Sequence, residues 1–422
     1  MKLIRLQEQI AENTCIHQDI AQDIIPHMKD GEDIVFSVCR KDNDKEMCLS
    51  LSRDNDHIFA KGSYFIGLDW LSTGNVAIQV NPKMNEGYEI DYIRMLNDSL
   101  TECENYNHLS DLVTIYFNKP SIKVSQQQDL LSIFLITEYL NILSLIVKKG
   151  LKKSFYIVNE NFHNKIAKGR ITNNVCKYQV YGIDSPENRI LKLAFRFCVR
   201  QLEVYKYAVN TELLNKKVRF IRPYFDSISD DICVRTIKTY KGNPVYRDYN
   251  QAIEFAQLLL HRYSYDITTI GQNDISTPPF WIDTSKLFEL YVFHHLRRVF
   301  TGKNEISYHV RAHFQELDYL LKPELWPNPY VIDAKYKPRY KECKTISKED
   351  AREVSGYARL SKIYELLGLD EESAIPIKCL IIYPDQDKNE FFTFNREKEP
   401  EFERISGYVR LYMVGIKLPL IK

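Results

Sequence analysis

No C-x-x-C pair occurs among the nine cysteines of this 422-residue chain, which run from Cys15 to Cys379. An odd, scattered set excludes a disulfide framework, which pairs an even number in a short secreted chain, and a zinc ribbon, which needs paired spacing. Reduced thiols are expected, and with them a cytoplasmic setting. The opening residues, MKLIRLQEQIAENT, hold no apolar core, so no secretory signal is expected. G-x-x-x-x-G-K-S/T is absent, so no phosphate-binding loop is present and no nucleotide is expected to bind this chain alone. G-x-S-x-G and any evident Ser/His/Asp arrangement are missing too. Charge of one sign is also lacking: 57 Lys+Arg against 56 Asp+Glu leave +1. That excludes a histone-like polycation and an acidic solvating chain, while a local basic stripe could still serve nucleic acid. Glycine and proline are sparse, at 15 and 16, and no repeat stands out.

What is present is a packed globular composition, 44% hydrophobic and 12% aromatic. The length exceeds the roughly 250–300 residues one core supports, which argues for two or three domains. Residues 1–115 alternate apolar and polar positions, as in Asp33 to Val38 and Asn75 to Val80, and predict a β-rich N-terminal domain. Residues 116–270 read as a mainly helical middle region. Its first helical run starts at Leu130, Ile133 and Phe134, a second spans Asn188 to Tyr207, and short strands are expected within Asn210 to Gly242. Leu130 to Val147 approaches the roughly 20 residues that span a bilayer. Glu138 and Asn141 in its middle favour a buried core helix and no membrane contact. Pro278-Pro279 marks a boundary. Residues 271–422 then run helix (Thr284 to Phe300), strands, helix (about Ser347 to Leu367) and strand (Ile377 to Tyr383). The fold class expected is multidomain α+β or α/β, ending in an α/β domain.

The informative segment is Pro329-Tyr-Val-Ile-Asp-Ala-Lys-Tyr336. As a strand, its period of two sets Val331, Asp333 and Lys335 on one face. The preceding strand, Phe314 to Leu321, sets Glu316 and Asp318 on one face and Leu317, Tyr319 and Leu321 on the other. Adjacent strands would bring Asp318 and Asp333 close enough to share a divalent cation. Phosphodiester hydrolysis needs such a set: carboxylates for hard Mg²⁺, and a lysine to stabilise the pentacovalent anion or orient water. D/E-x-K occurs twice, at Asp333/Lys335 and Glu342/Lys344, and only the first follows an apolar strand. The plain alternative is an ordinary cross-strand or surface ion pair. On the helix from Asp283, with Asp283 or Thr284 as N-cap, Glu289 lies beside an apolar stripe and either faces solvent or serves a site. His294 and His295 point about 100° apart on a helix and cannot chelate together, so one core and one surface histidine is expected.

These residues resemble McrC, the nuclease subunit of McrBC-type restriction systems, within the PD-(D/E)xK nuclease superfamily. The likeness rests on Thr284 to Glu289, Asp318 and Val331 to Lys337. Upstream it takes in Tyr64 to Gly67, Asn81 to Met84, Val147 to Leu151, Lys168 to Ile171 and Glu187 to Lys192. It implies that residues 1–115 serve partner docking and that residues 271–422 form a restriction-endonuclease-like nuclease domain. It also implies an Mg²⁺-dependent DNA endonuclease, with Mn²⁺ able to substitute, that docks on an oligomeric McrB-like AAA+ GTPase, stimulates it, and cuts double-stranded DNA carrying methylated cytosine. By the resemblance, Asp318 and Asp333 match the metal-binding acids, Lys335 the catalytic lysine and Glu289 the acid on the preceding helix. Leu317 stands where the family usually has proline. Glu353 stands where it often has glutamine, four residues before Tyr357; Glu316, Glu353 and Tyr357 are candidates for supporting the site.

Charge is unevenly placed. Lys119 to Arg170 carries nine Lys/Arg against Asp129, Glu138 and Glu160, a net of +6 (9 − 3), and Lys335 to Lys348 carries six against Glu342, a net of +5 (6 − 1). The second run makes Lys337, Arg339, Lys341 and Lys344 candidates for phosphate contact; the alternative is a solvated loop. Two other functions stand beside the nuclease subunit: a catalytically silent activator of an AAA+ NTPase, and a stand-alone metal nuclease.

Overall fold

The computed structural model describes residues 1–39, 44–83, 90–102, 112–116, 119–125, 130–163, 173–205, 212–230, 247–264, 274–313, 315–337, 346–372, 375–387 and 394–420. The chain divides into two compact units, residues 1–123 with 276–422, and residues 124–275. The first unit thus draws on both ends of the chain.

Its N-terminal part holds two sheets. Alternating burial along Asp33–Cys39 and Lys45–Asp54 builds an antiparallel four-stranded sheet in the order Thr14–Cys15, His57–Gly62, Lys45–Asp54, Asp33–Cys39. A five-stranded sheet runs Lys2–Gln7, Val76–Asn81, Phe65–Ser72, Phe280–Asp283, Val113–Ile115. Phe36, Leu49, Leu51, Phe65, Ile78 and Trp281 share one buried cluster. The fourth strand is contributed from beyond Pro279 and pairs antiparallel with both neighbours. Gly67 makes this possible: a Cβ there would stand 2.2 Å from the Phe280 carbonyl oxygen. Only glycine permits so close a backbone approach.

Asp283 ends that strand and caps the helix Thr284–Val299, its carboxylate accepting the Lys286 N–H at 3.0 Å. A six-stranded mixed sheet follows, in the order Ile306–Ala312, Gln315–Leu321, Tyr330–Ala334, Lys378–Pro384, Leu411–Ile416, Glu403–Arg404. Every residue of Tyr330–Ala334 is buried, as expected of a strand covered on both faces. Val331, Ile381 and Met413 pack with Ala351, Val354, Ile363 and Leu367 in one cluster. Phe293, from the Thr284–Val299 helix, stacks with Tyr308 and Tyr319. The helix expected over Ser347 to Leu367 is two, Lys348–Tyr357 and Ser361–Leu367. The extended backbone at Leu360 redirects the chain, so that Val354 and Ile363 reach the same core.

The second unit contains helices Leu130–Lys149, Pro186–Tyr205, Glu212–Ile221 and Arg247–Ser264. Leu130–Lys149 is buried along most of its length, and its Tyr139 hydroxyl donates to the Leu191 carbonyl at 2.6 Å. Where short strands were expected, Glu212–Ile221 is an α-helix and Arg222–Phe225 a 3-10 helix, because Leu214, Val218, Ile221 and Phe225 fall at helical spacing and are buried; residues 231–242 lie outside the described residues. The middle also carries an antiparallel hairpin, Ser154–His163 with Asn173–Gly182. Aromatic and β-branched residues, Phe155 to Val158 and Tyr178 to Tyr181, favour strand there over helix.

Candidate active site

The pairing of Gln315–Leu321 with Tyr330–Ala334 joins Tyr319 to Ile332. One further step of that register sets Asp318 opposite Asp333. Residues directly opposite in an antiparallel pair project on the same face. The Asp318 carboxylate accepts the Ala334 N–H at 2.7 Å, which ties the two strands at this level. Lys335 follows the strand, its own N–H donating to the Ile382 carbonyl at 2.8 Å. Its ammonium lies 2.9 Å from Asp333 Oδ2 and 3.0 Å from Glu353 Oε2. The second Glu353 oxygen accepts the Tyr357 hydroxyl at 2.8 Å. A polar line Asp333–Lys335–Glu353–Tyr357 therefore leads from a buried strand to a half-exposed helix face.

Electrostatics follow from burial and crowding. Asp333 is 3% exposed, and its Oδ2 receives no directed hydrogen bond, only the ionic contact with Lys335. Burial raises its pKa to about 6 against the pull of the lysine. Burial, then the Glu289 and Asp333 carboxylates, push Asp318 well above the carboxylate range. Burial disfavours the Lys335 ammonium, but Asp333 and Glu353 outweigh it and raise its pKa. Burial also opposes ionisation of Glu353, yet the Lys335 charge and the Tyr357 hydroxyl hold it below the usual range. Lys335 is a cation and Glu353 an anion at neutral pH.

Glu289 reaches the same neighbourhood from the Thr284–Val299 helix. Its backbone carbonyl accepts the Tyr319 hydroxyl at 2.5 Å, and its carboxylate lies 3.5 Å from His309 Nε2. His309 Nδ1 meets Glu316, whose other oxygen accepts from Arg311 at 3.0 Å. Glu316 is thus held at the rim by His309 and Arg311. The sequence reading missed His309. It stands opposite Asp318 in the register that joins Tyr308 to Tyr319 and Val310 to Leu317, with φ +52°. Nothing in a local motif marks a non-glycine residue for left-handed backbone.

Lys337 lies 2.8 Å from Asp350 and is engaged by that buried carboxylate. Arg339, Lys341 and Lys344 lie outside the described residues, as do Met84, Lys165, Lys168 and Arg170. In the earlier basic run, Lys119, Lys149 and Lys152 pair with Asp69, Asp248 and Glu187. His294 is buried and His295 half-buried against the Tyr291 ring, so neither is the surface histidine expected. Burial lowers their pKa values to about 4 and about 3.

The donor set at Asp318 and Asp333 is oxygen alone, with one buried oxygen lacking a directed hydrogen bond. That suits a hard cation such as Mg²⁺, which takes one or two carboxylates and keeps several waters. Among the described residues no three His, Cys, Asp or Glu side chains are grouped so as to hold a metal ion together. No described helix is long and apolar enough to cross a membrane.

The solved assembly of Thermococcus gammatolerans McrB AAA+ hexamers with bound McrC is similar at 16% identity, covering 88% of this chain and 81% of that one, with a TM-score of 0.36. The cryo-EM structure of the Thermococcus gammatolerans McrBC complex is similar at 14% identity, covering 74% and 90%, with a TM-score of 0.28. No curated protein matches. The family model described as McrBC 5-methylcytosine restriction system component matches residues 64–367, from the five-stranded sheet through the candidate site to the end of the Ser361–Leu367 helix. With 304 of 422 residues inside that match (367 − 64 + 1), the chain belongs to the McrBC 5-methylcytosine restriction system component family.

Proposed function

We propose that this chain is the nuclease subunit of its restriction system, hydrolysing phosphodiester bonds of double-stranded DNA with Mg²⁺, or Mn²⁺ in its place. The observation that carries the reading is the pairing of Asp318 and Asp333 across two strands with the Lys335 ammonium 2.9 Å from Asp333. Asp318 and Asp333 would hold the metal, which when bound lowers the pKa of a water ligand and neutralises charge on the phosphate. Ala334 N–H fixes the Asp318 carboxylate, so that ligand is preorganised. Lys335, braced by Glu353, presents a fixed positive charge where a pentacovalent phosphate would develop negative charge, which favours the transition state over the ground state. Glu289 adds a third carboxylate near the pair, 3.5 Å from His309 Nε2. The residue pattern resembling McrC, together with family membership, supports a working partnership with an McrB-like AAA+ GTPase.

The test is Asp333→Ala assayed with plasmid DNA, Mg²⁺ and the partner GTPase. Cleavage is expected to be lost and GTPase stimulation to remain. Cleavage that persists in this variant would remove the site assignment. A wild-type chain that stimulates the GTPase and never cuts would be an activator, and one that cuts fully without the partner would be a stand-alone nuclease.

A further inference from the structure

A fully buried carboxyl outside the candidate site binds the elements that carry the candidate catalytic groups. Glu8 follows the strand Lys2–Gln7 and is 1% exposed. Three donors from three distant segments converge on it. The Thr284 hydroxyl reaches Oε2 at 2.6 Å, the Lys83 N–H reaches Oε1 at 3.1 Å, and the Tyr336 hydroxyl reaches Oε1 at 3.3 Å. Tyr336 is also 2.9 Å, hydroxyl to hydroxyl, from Tyr92. An apolar side chain would fill this space without the cost of burying a carboxyl, so the convergence of donors calls for a reason beyond packing.

The reason lies in what Thr284 and Tyr336 adjoin. Thr284 is the first residue of the helix that carries Glu289, five residues and about 7.5 Å further along its axis. Its N–H also donates to the Tyr64 carbonyl at 2.8 Å, so the helix start is held on two sides. Tyr336 directly follows Lys335. Lys335 turns toward Asp333 and Glu353, and Tyr336 toward Glu8 and the Phe288 ring, 5.7 Å away. The backbone that carries Lys335 thus runs between two anchors.

We infer that Glu8 is a positioning residue for the nuclease centre, setting Glu289 and Lys335 relative to each other from the N-terminal strand. This inference rests on the nuclease reading above. Glu8 touches neither metal ligand, so it acts on the rate of the chemical step and leaves metal and DNA affinity alone. Misplacement of a catalytic group by about 1 Å costs on the order of 100-fold.

The test uses the full chain under the conditions, alone or with the partner GTPase, in which the wild type cuts. Glu8→Ala is expected to slow single-turnover cleavage by about 10- to 100-fold, with half-saturating Mg²⁺ and DNA affinity both within about twofold. Glu8→Gln is expected to restore the rate, because its carbonyl accepts from Lys83 and Tyr336 while its amide donates to Thr284, which can still donate to Tyr64. An unchanged rate in Glu8→Ala overturns the inference. So does a loss that appears equally in metal and DNA affinity and that Glu8→Gln fails to restore. Should Glu8→Ala not fold, Thr284→Val and Tyr336→Phe each cut one link, and wild-type rates in both overturn it. A wild-type chain without cleavage, or Asp333→Ala that still cuts, overturns the nuclease reading instead.

Discussion

Glu8 and Glu353 are two acids held in opposite protonation regimes. Burial raises the Glu8 pKa from 4.5 to about 7, against its hydrogen bonds from Thr284, Lys83 and Tyr336 and with the Asp283 carboxylate adding to the rise. The unfolded chain therefore ionises Glu8 near pH 4.5 while the folded chain keeps its proton until about pH 7. Between those values the folded state binds more protons, and stability falls as pH rises, levelling off above pH 7. A shift of that size corresponds to about 3 kcal/mol. The stability of Glu8→Gln relative to wild type is expected to grow by up to that amount from pH 4.5 to 7, measured by denaturant melts; a constant difference would contradict a proton held in the fold. Glu353 makes the complementary case. Glutamine at that position would still accept from Lys335, so Glu353→Gln is expected to cleave within about tenfold of wild type. A loss of 100-fold or more, within the range for general acid–base groups, would instead assign the carboxylate a chemical role. Asp333 and Lys335 were legible in the sequence because a charged pair stands out in an apolar strand. Glu8 and His309 were not: the links of Glu8 span 276 and 328 residues, and His309 depends on a left-handed backbone.

The elements that place the site are short, and one of them is borrowed. Strand Phe280–Asp283 belongs to the N-terminal sheet by pairing, yet it leads directly into the Glu289 helix. Gly67→Ala would drive a methyl group against the Phe280 carbonyl, and nothing in the middle of a sheet can yield cheaply. A loss of about 1–3 kcal/mol is expected from such overpacking, measured as a lowered unfolding midpoint. Unchanged stability would mean that the two strands part without cost. Asp283→Ala, which removes the N-cap, is expected to cost about 1 kcal/mol. Period-two alternation made the N-terminal strands readable, and the caps and apolar stripe made the Glu289 helix readable. The hairpin Ser154–His163 with Asn173–Gly182 escaped because it lies between long helical runs, and its first strand shows no clean alternation of apolar and polar residues.

At the scale of the molecule, the charge near zero conceals basic runs, several members of which are matched by nearby acids: Lys337 by Asp350, Lys149 by Asp248. Length indicated more than one domain, but no local signal says that a sheet will be completed from the far end of the chain. Residues 276–422 and 1–123 form one unit, so a fragment of residues 271–422 is expected to unfold without cooperativity in a thermal melt. Adding residues 1–123 should restore a single transition, and a cooperative melt of the lone fragment would refute this. The borrowed strand also sets an order of events during synthesis. After Ile115 leaves the ribosome, 168 residues (283 − 115) must be made before Asp283 follows. At about 5–20 residues per second that is a wait of roughly 8–34 s. Through that interval Phe65–Ser72 and Val113–Ile115 lack the strand that belongs between them, while residues 124–275 emerge complete. The nascent chain therefore has its middle unit ready to fold before its first sheet can close, and the candidate site is assembled last.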